Sequence, residues 1–199
     1  MTKQQLGNFI SGSCIPRVTK SFSDVINQWR DYKGVILFSN GAILEGSFAR
    51  GAPNGRCRVI LPSGDWMEGE YANGVLNGHG TCVYSNGASY EGEWENGVKH
   101  GRGVEKEVDG SVYNGDFMNG IREGDGKLTF FDGSAYVGGF TNGLQEGIGI
   151  LVGPPPVKYT GEWKGGKKHG RGKYTDSEGN IFDGGFVDDL MHGRGLQTT

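Results

Sequence analysis

The stretch YEGEWENGVKHGRG, residues 90–103, decides how the whole chain is interpreted. An aromatic residue stands two positions either side of Gly92, an Asn-Gly pair follows, and two glycines flank Arg102. One interpretation is a glycine-rich phosphate-binding loop beside a catalytic histidine, His100. The other is a structural unit that is stable only when it is repeated along the chain.

The unit recurs with a constant period. Positions 3 and 12 of every copy are glycine, and position 5 is always aromatic. Consecutive copies are 23 residues apart without insertion, and the seven copies begin at Leu44, Met67, Tyr90, Tyr113, Tyr136, Tyr159 and Phe182. Glycine makes up 39 of the 199 residues, so composition alone would not place it at both positions of every copy. The stretch is therefore a structural repeat.

Composition excludes several classes of protein. The glycines follow no Gly-X-Y pattern, which excludes collagen, and aromatic residues spread along the chain argue against disorder. The formal net charge of −3 argues against a nucleic-acid partner. Three cysteines without a CxxC pair indicate a reduced intracellular chain and no zinc site.

Each copy has the pattern of a β-hairpin. Apolar and polar residues alternate from Tyr90 to Trp94, and Asn96-Gly97 supplies the positive φ angles of a tight turn. We expect the second strand to begin at the glycine of position 12, here Gly101. We also expect an aromatic ring from a neighbouring strand to lie over the bare backbone at Gly92.

The pattern Y-x-G-x-W-x-x-G-x-x-x-G-x-G resembles the MORN (membrane occupation and recognition nexus) repeat. The resemblance implies an all-β fold, an elongated single-layer antiparallel β-meander of about seven hairpins. By resemblance, MORN proteins serve in cytoskeletal, ciliary and membrane-junction assemblies of eukaryotes. The corresponding expectation is a non-catalytic scaffold that holds a peptide or helix of another protein on a groove face.

Three segments are expected along the chain. Residues 1–20 form a flexible tail, residues 21–43 a short helix and a leading strand, and residues 44–199 the repeat array. The helix is predicted because Phe22, Val25, Ile26 and Trp29 have helical spacing. It would cap the first strand, and a partner-binding helix is the alternative.

The partner-binding groove is expected at the rings in the middle of the array. Its predicted residues are Tyr71, Tyr90, Trp94, Tyr113, Phe117 and Tyr136, together with Glu105 and Glu107. One alternative is that the rings pack only on each other and that the partner uses edges or charges. For the two glutamates, either the strand shifts so that Val104 and Val108 face inward, or two carboxylates line the apolar face and favour a basic partner.

Two further contacts are considered. A basic cluster in the sixth copy supports phosphoinositide or membrane-surface binding as an alternative function; it comprises Lys164, Lys167, Lys168, Arg171 and Lys173. The final strand offers an edge for homodimerisation or docking onto a partner, and a frayed end is the alternative. A third alternative function is a fixed structural subunit of a large complex, which the sequence does not separate from the scaffold.

No catalytic chemistry is expected. The chain contains no GxSxG, HExxH or GxxxxGK[ST] motif, and no cofactor is implied. His100, His169 and His192 share position 11 in separate copies, too far apart for one metal ion. The expected location is cytoplasmic and cytoskeleton-associated, while an acid-poor basic N-terminus leaves an organellar location open.

Overall fold

The computed structural model describes residues 31–198 of the chain. These residues form fifteen strands in one antiparallel sheet, in which neighbouring strands follow each other in sequence order. The described part contains no helix, which confirms the all-β prediction. The tail expected over residues 1–20 and the helix expected around Phe22 to Trp29 lie outside the described residues.

The chain divides into two compact units, Met1–Gly103 and Val104–Thr199. The first unit contains β1 (Asp31–Leu37), β2 (Ile43–Ala49), β3 (Ala52–Ile60), β4 (Trp66–Ala72), β5 (Val75–Val83), β6 (Ser89–Glu95) and most of β7 (Val98–Lys106). The second contains β8 (Val112–Met118), β9 (Ile121–Thr129), β10 (Ala135–Thr141), β11 (Leu144–Val152), β12 (Lys158–Lys164), β13 (Lys167–Thr175), β14 (Ile181–Val187) and β15 (Leu190–Thr198). β1 lies before the first copy of the repeat.

Two-residue turns join the strands within each hairpin. Asn96 and Gly97 have φ angles of 49° and 79°, and the corresponding pair in each of the other copies is also left-handed. Two consecutive positive φ angles define a turn whose twist matches that of the flanking strands. Asparagine and glycine tolerate this conformation best, so the Asn-Gly signal was a sound prediction.

The second strand of each hairpin begins earlier than expected. In the fourth copy β9 begins at Ile121, and Gly124 lies inside the strand with a φ of 75°. The pairing of β8 with β9 changes register between Gly115 and Phe117. The glycine of position 12 is therefore part of a β-bulge and not the start of the strand.

The tyrosine that begins the third to the sixth copy folds back over its own hairpin. A Cβ atom added at Gly115 would lie 2.5 Å from the Tyr113 hydroxyl, and one added at Gly126, the facing residue of β9, would lie 2.5 Å from its ring. The hydroxyl donates a hydrogen bond to the carbonyl of Asp116 at 3.0 Å. The expectation of a ring from a neighbouring strand is wrong for the glycine of position 3, since the ring over Gly115 belongs to the same strand, whereas Gly126 is covered by the ring of the neighbouring strand β8.

Rings do link neighbouring hairpins in the second unit. Tyr113 contacts Phe117 of its own strand and Phe140 of the next hairpin, with ring centroids 5.2 and 4.9 Å apart and near-perpendicular planes. The same edge-to-face step continues from Tyr136 to Trp163 and from Tyr159 to Phe186. Such pairs each contribute about 0.5–1.5 kcal/mol beyond the area that they bury. The core of this unit is therefore one line of rings.

We expect Gly126→Ala to lower the free energy of unfolding by about 2 kcal/mol, because the methyl group overlaps the Tyr113 ring. Urea unfolding followed by circular dichroism measures the change. Lys127→Ala, one residue away on the opposite face of β9, is the matched control and should leave the midpoint almost unchanged. Equal midpoints for the two variants would contradict the packing described.

The buried tyrosines predict a loss of stability at alkaline pH. Burial raises the pKa of Tyr113, Tyr136 and Tyr159 to about 12 each, with nearby carboxylates adding to the effect. An unfolded tyrosine has a pKa of about 10, so the folded chain holds these protons more tightly. The resulting stability is fully present below about pH 10 and is lost as the pH rises towards 12.

Phenolate absorbance and circular dichroism, recorded together in an alkaline titration, test this. Part of the phenolate signal should appear only as the sheet unfolds, and Tyr136→Phe should reduce that part. Complete ionisation near pH 10 with the sheet intact is the opposite result.

Candidate functional site

The ring face is the side of the sheet that carries the rings of positions 1 and 5; the opposite side is the outer face. All six predicted groove rings lie on the ring face. Their exposed fractions are between 0 and 5%: Tyr71, Tyr90, Trp94, Tyr113, Phe117 and Tyr136. These rings are in contact with the chain itself, which favours the alternative that they pack on each other. They form the floor of the face.

Cations of position 10 cover several of these rings. Lys99 Nζ lies 5.0 Å from the centre of the Tyr90 ring, and Arg122 Cζ lies 4.8 Å from that of Tyr113. Lys168 Nζ lies 5.6 Å from the Tyr159 ring and 4.6 Å from the Tyr174 ring. Sequence reasoning missed Lys99 and Arg122 and assigned Lys168 only to the basic cluster, although the spacing of the three in multiples of the repeat period was a readable signal. They place positive charge above an aromatic floor.

The two glutamates of β7 lie on the ring face. Val104 and Val108 are 41% and 64% exposed, so the strand does not shift to bury them. Arg122 donates two hydrogen bonds to Glu105, at 3.0 and 2.6 Å, and a third to Glu107. The carboxylates do line the apolar face, and an arginine of the same chain offsets one of their two charges.

A shallow, widely open cleft of about 410 Å³ lies beside this cluster. Leu128 is almost completely buried at its base, Phe130 is half-buried, and the Glu107 side chain is 45% exposed at its rim. The lining residues are Glu107, Val108, Asp109, Ser111, Arg122, Leu128 and Phe130. The cleft therefore combines an apolar base with an accessible carboxylate.

Position 18 gives the ring face of the first unit a comparable line of accessible side chains. Leu61 and Tyr84 hold this position, Phe38 lies one period before Leu61, and all three are half-buried. Phe130 holds the same position in the second unit and Glu107 interrupts the series. Accessible apolar surface on the ring face thus lies beside the buried rings.

The predicted basic cluster is divided between the two faces. Lys168 contacts rings of the ring face, whereas Lys164, Lys167, Arg171 and Lys173 alternate with ring-face residues and are exposed on the outer face. Glu162 shares that side and accepts a hydrogen bond from the Arg171 amide at 2.8 Å. A flat lipid surface would contact only four of the five cations.

Three further features concern a metal site, a membrane-spanning helix and the final strand. Within residues 31–198 no group of three or more histidine, cysteine, aspartate and glutamate side chains is arranged to hold a metal ion. Nor does that range contain a helix able to cross a membrane. β15 is exposed along its whole length, and docking through this strand stays a prediction.

Comparison with known proteins identifies the repeat. The family model of the MORN repeat matches seven consecutive segments: residues 45–66, 68–89, 90–112, 113–135, 136–155, 159–181 and 182–198. A search of curated proteins found no match to the sequence.

Two solved structures resemble the chain at low identity. One is the TCP domain of Drosophila melanogaster SAS-4 in complex with a proline-rich motif of Ana2, at 13% identity and a TM-score of 0.43, covering 93% of this chain and 98% of that one. The other is the TCP10 domain of Danio rerio CPAP, at 15% identity and a TM-score of 0.33, covering 76% and 83%.

Removing Arg122 tests the charge cluster. We expect Arg122→Leu to lower the free energy of unfolding by about 3 kcal/mol, because it removes the hydrogen bonds that the guanidinium donates to Glu105 and Glu107 in a partly buried site. Adding Glu105→Leu and Glu107→Phe should restore stability, since Leu128 and Phe130 hold the same two positions one repeat later. Urea unfolding measures both variants. A single variant as stable as the native chain, or a triple variant no better than the single, would contradict the pairing.

Proposed function

The chain belongs to the MORN repeat family, and from that premise we propose that it is a non-catalytic scaffold that holds an extended or helical segment of a partner protein. The segment lies on the ring face, with its main anchor in the cleft beside Arg122. The cleft is the observation that carries the proposal, because it is open to solvent and its base is apolar. A single apolar side chain of a partner fits such a site.

Charge defines the partner further. Glu105, Glu107 and Arg122 together carry one net negative charge, and Asp109 adds another at the rim. Glu105 is mostly enclosed by the arginine, whereas Glu107 keeps an accessible carboxylate. The partner segment therefore carries a lysine or arginine near its apolar anchor, and repulsion disfavours an acidic segment.

The buried rings act on the partner indirectly. Rings with almost no exposed area offer a partner no surface, but they keep the ring face stiff and apolar. The first unit has accessible apolar side chains of its own, the half-buried Phe38, Leu61 and Tyr84. This reassigns direct contact from the predicted rings to the side chains that lie beside them. A pre-formed face also reduces the ordering cost of association.

The proposed setting is a cytoplasmic, cytoskeleton-associated assembly, and it rests on the family resemblance alone. Within such an assembly the chain could be a permanent subunit that keeps its partner throughout. Membrane binding is not proposed, because Lys168 lies on the opposite face from the other four cations and the carboxylate of Glu162 shares their side.

Photo-crosslinking in the native cell tests the cleft. A benzoylphenylalanine introduced at Phe130 is expected to crosslink a partner protein, because this ring borders the cleft. The matched control carries the same group at Phe131, the adjacent phenylalanine, which is 76% exposed and does not line the cleft. Mass spectrometry identifies the product and the crosslinked segment, which should contain an apolar residue beside a basic one.

A charge reversal then tests the rim. In the Phe130 crosslinking background, Glu107→Lys is expected to lower the yield at least about fivefold, since it repels a basic segment. Lys106→Glu, the adjacent change on the outer face, should have little effect. The proposal fails if Phe130 and Phe131 give equal yields, or if the yield does not respond to Glu107→Lys.

A further inference from the structure

The outer face of the fifth copy differs from that of every other copy. Outer-face side chains include those of positions 2, 13, 15 and 17, and positions 2 and 13 are polar or charged in the other six copies. In the sixth copy, for example, they are Thr160 and Arg171. In the fifth copy all four positions are aliphatic: Val137, Ile148, Ile150 and Val152.

These four side chains form one patch across β10 and β11, which we call the aliphatic patch. Val137 lies directly opposite Ile150, and Val152 lies opposite Ala135. Gly149, between Ile148 and Ile150, faces the Tyr136 ring, so both isoleucines point to the outer face. Their separation along the strands places all four within about 13 Å.

Packing within the chain does not account for the aliphatic patch. The exposed fractions are 51% for Val137, 69% for Ile148, 37% for Ile150 and 45% for Val152. The same positions of the sixth copy carry Thr160, Arg171, Lys173 and Thr175 in strands of the same kind, so the sheet does not need aliphatic residues there. Grouped exposed aliphatic side chains on an otherwise polar face mark an interaction surface.

Charged residues border the patch in a defined order. On β9, Asp125 lies opposite Gly139 and Lys127 opposite Val137. On β12, Glu162 lies opposite Ile148 and Lys158 opposite Val152. The end of the patch beside the bulge is therefore acidic on both sides, and the rest is bordered by one lysine on each side together with Thr129 and Thr160.

We propose that the aliphatic patch binds one amphipathic α-helix of a partner protein, lying along β10 and β11. Its apolar stripe covers Val137, Ile148, Ile150 and Val152. Basic side chains at one end of the helix face Asp125 and Glu162, and acidic side chains towards the other end face Lys127 and Lys158. This surface is separate from the ring face and does not depend on the function proposed for that face.

The size of the patch favours a helix over a second folded chain. The exposed fractions correspond to an apolar area on the order of 300 Å², well below the roughly 800 Å² per partner of a stable protein interface. A length of about 13 Å matches two to three turns of helix, and a helix about 10 Å wide covers two neighbouring strands. An amphipathic helix presents apolar side chains at this spacing.

Methyl NMR provides a direct test, since all four patch residues carry methyl groups. The probe is an eighteen-residue helical peptide, designed with leucines at i, i+3, i+4 and i+7 spacing, glutamates at one end and lysines at the other. Titration is expected to shift the methyl signals of the four patch residues and to leave those of Leu128 and Leu44 on the ring face unchanged. Peptides with the same leucines but only lysines or only glutamates should bind at least about threefold more weakly.

The matched variant gives the patch the residues of the sixth copy: Val137→Thr, Ile148→Arg and Ile150→Lys. Because the next hairpin carries these residues in the same sheet, the variant should fold, and an unchanged ring-face methyl spectrum verifies this. Binding of the peptide should fall at least about tenfold. Unchanged binding by the variant, no shift of the patch methyl groups at millimolar peptide, or equal affinity for all three peptides would overturn the proposal.

A second copy of this chain is the competing occupant. Light scattering over a range of concentrations detects it, and a dimer that the triple variant abolishes would also overturn the proposal. The Phe130 crosslinking yield reports on the ring face alone. The proposal for the ring face and the proposal for the aliphatic patch can therefore be refuted separately.

Discussion

The sheet depends on a tyrosine ring that lies flat across two glycines on adjacent strands. Tyr113 covers Gly115 and Gly126, and its hydroxyl binds the backbone carbonyl of Asp116. Any side chain at either glycine would displace the ring, which explains why glycine occurs at these positions in spite of its unfavourable strand propensity. The ring buries itself against backbone, so a single sheet can have a core without a second layer. Edge-to-face contacts then connect the tyrosine of one hairpin to an aromatic ring of the next hairpin.

Much of this architecture could be predicted from the sequence because the repeat is strict. The constant period gave the number of hairpins, and Asn96-Gly97 gave the turn, since few other residues accept two positive φ angles. The bulge at Gly124 was not predictable, because a glycine with positive φ can end a strand as readily as interrupt it. Which strand supplied the ring was also open, since alternation places residues on a face but does not orient their side chains.

The candidate site was less accessible to sequence reasoning. Glu105 and Glu107 were recognised as unusual on an apolar face, and the structure places them there. Their partner Arg122 lies on another strand, so it is found only from the register of the sheet. Burial likewise depends on neighbours on three strands, and for this reason the aromatic residues expected to bind a partner proved to be enclosed. The pairing of strands that are distant in sequence decides both the partner of the glutamates and the burial of the aromatic residues.

Each tyrosine ring covers glycines of its own hairpin, and this has a consequence for how such chains evolve. Because Tyr136 covers glycines of β10 and β11 only, the hairpin carries its own means of burying its backbone. A gene segment encoding one such hairpin could be duplicated or deleted without leaving a gap in its neighbours. Each duplicate could then change its side chains on the outer face, which do not cover the glycines. A new binding specificity could therefore arise without a change of fold.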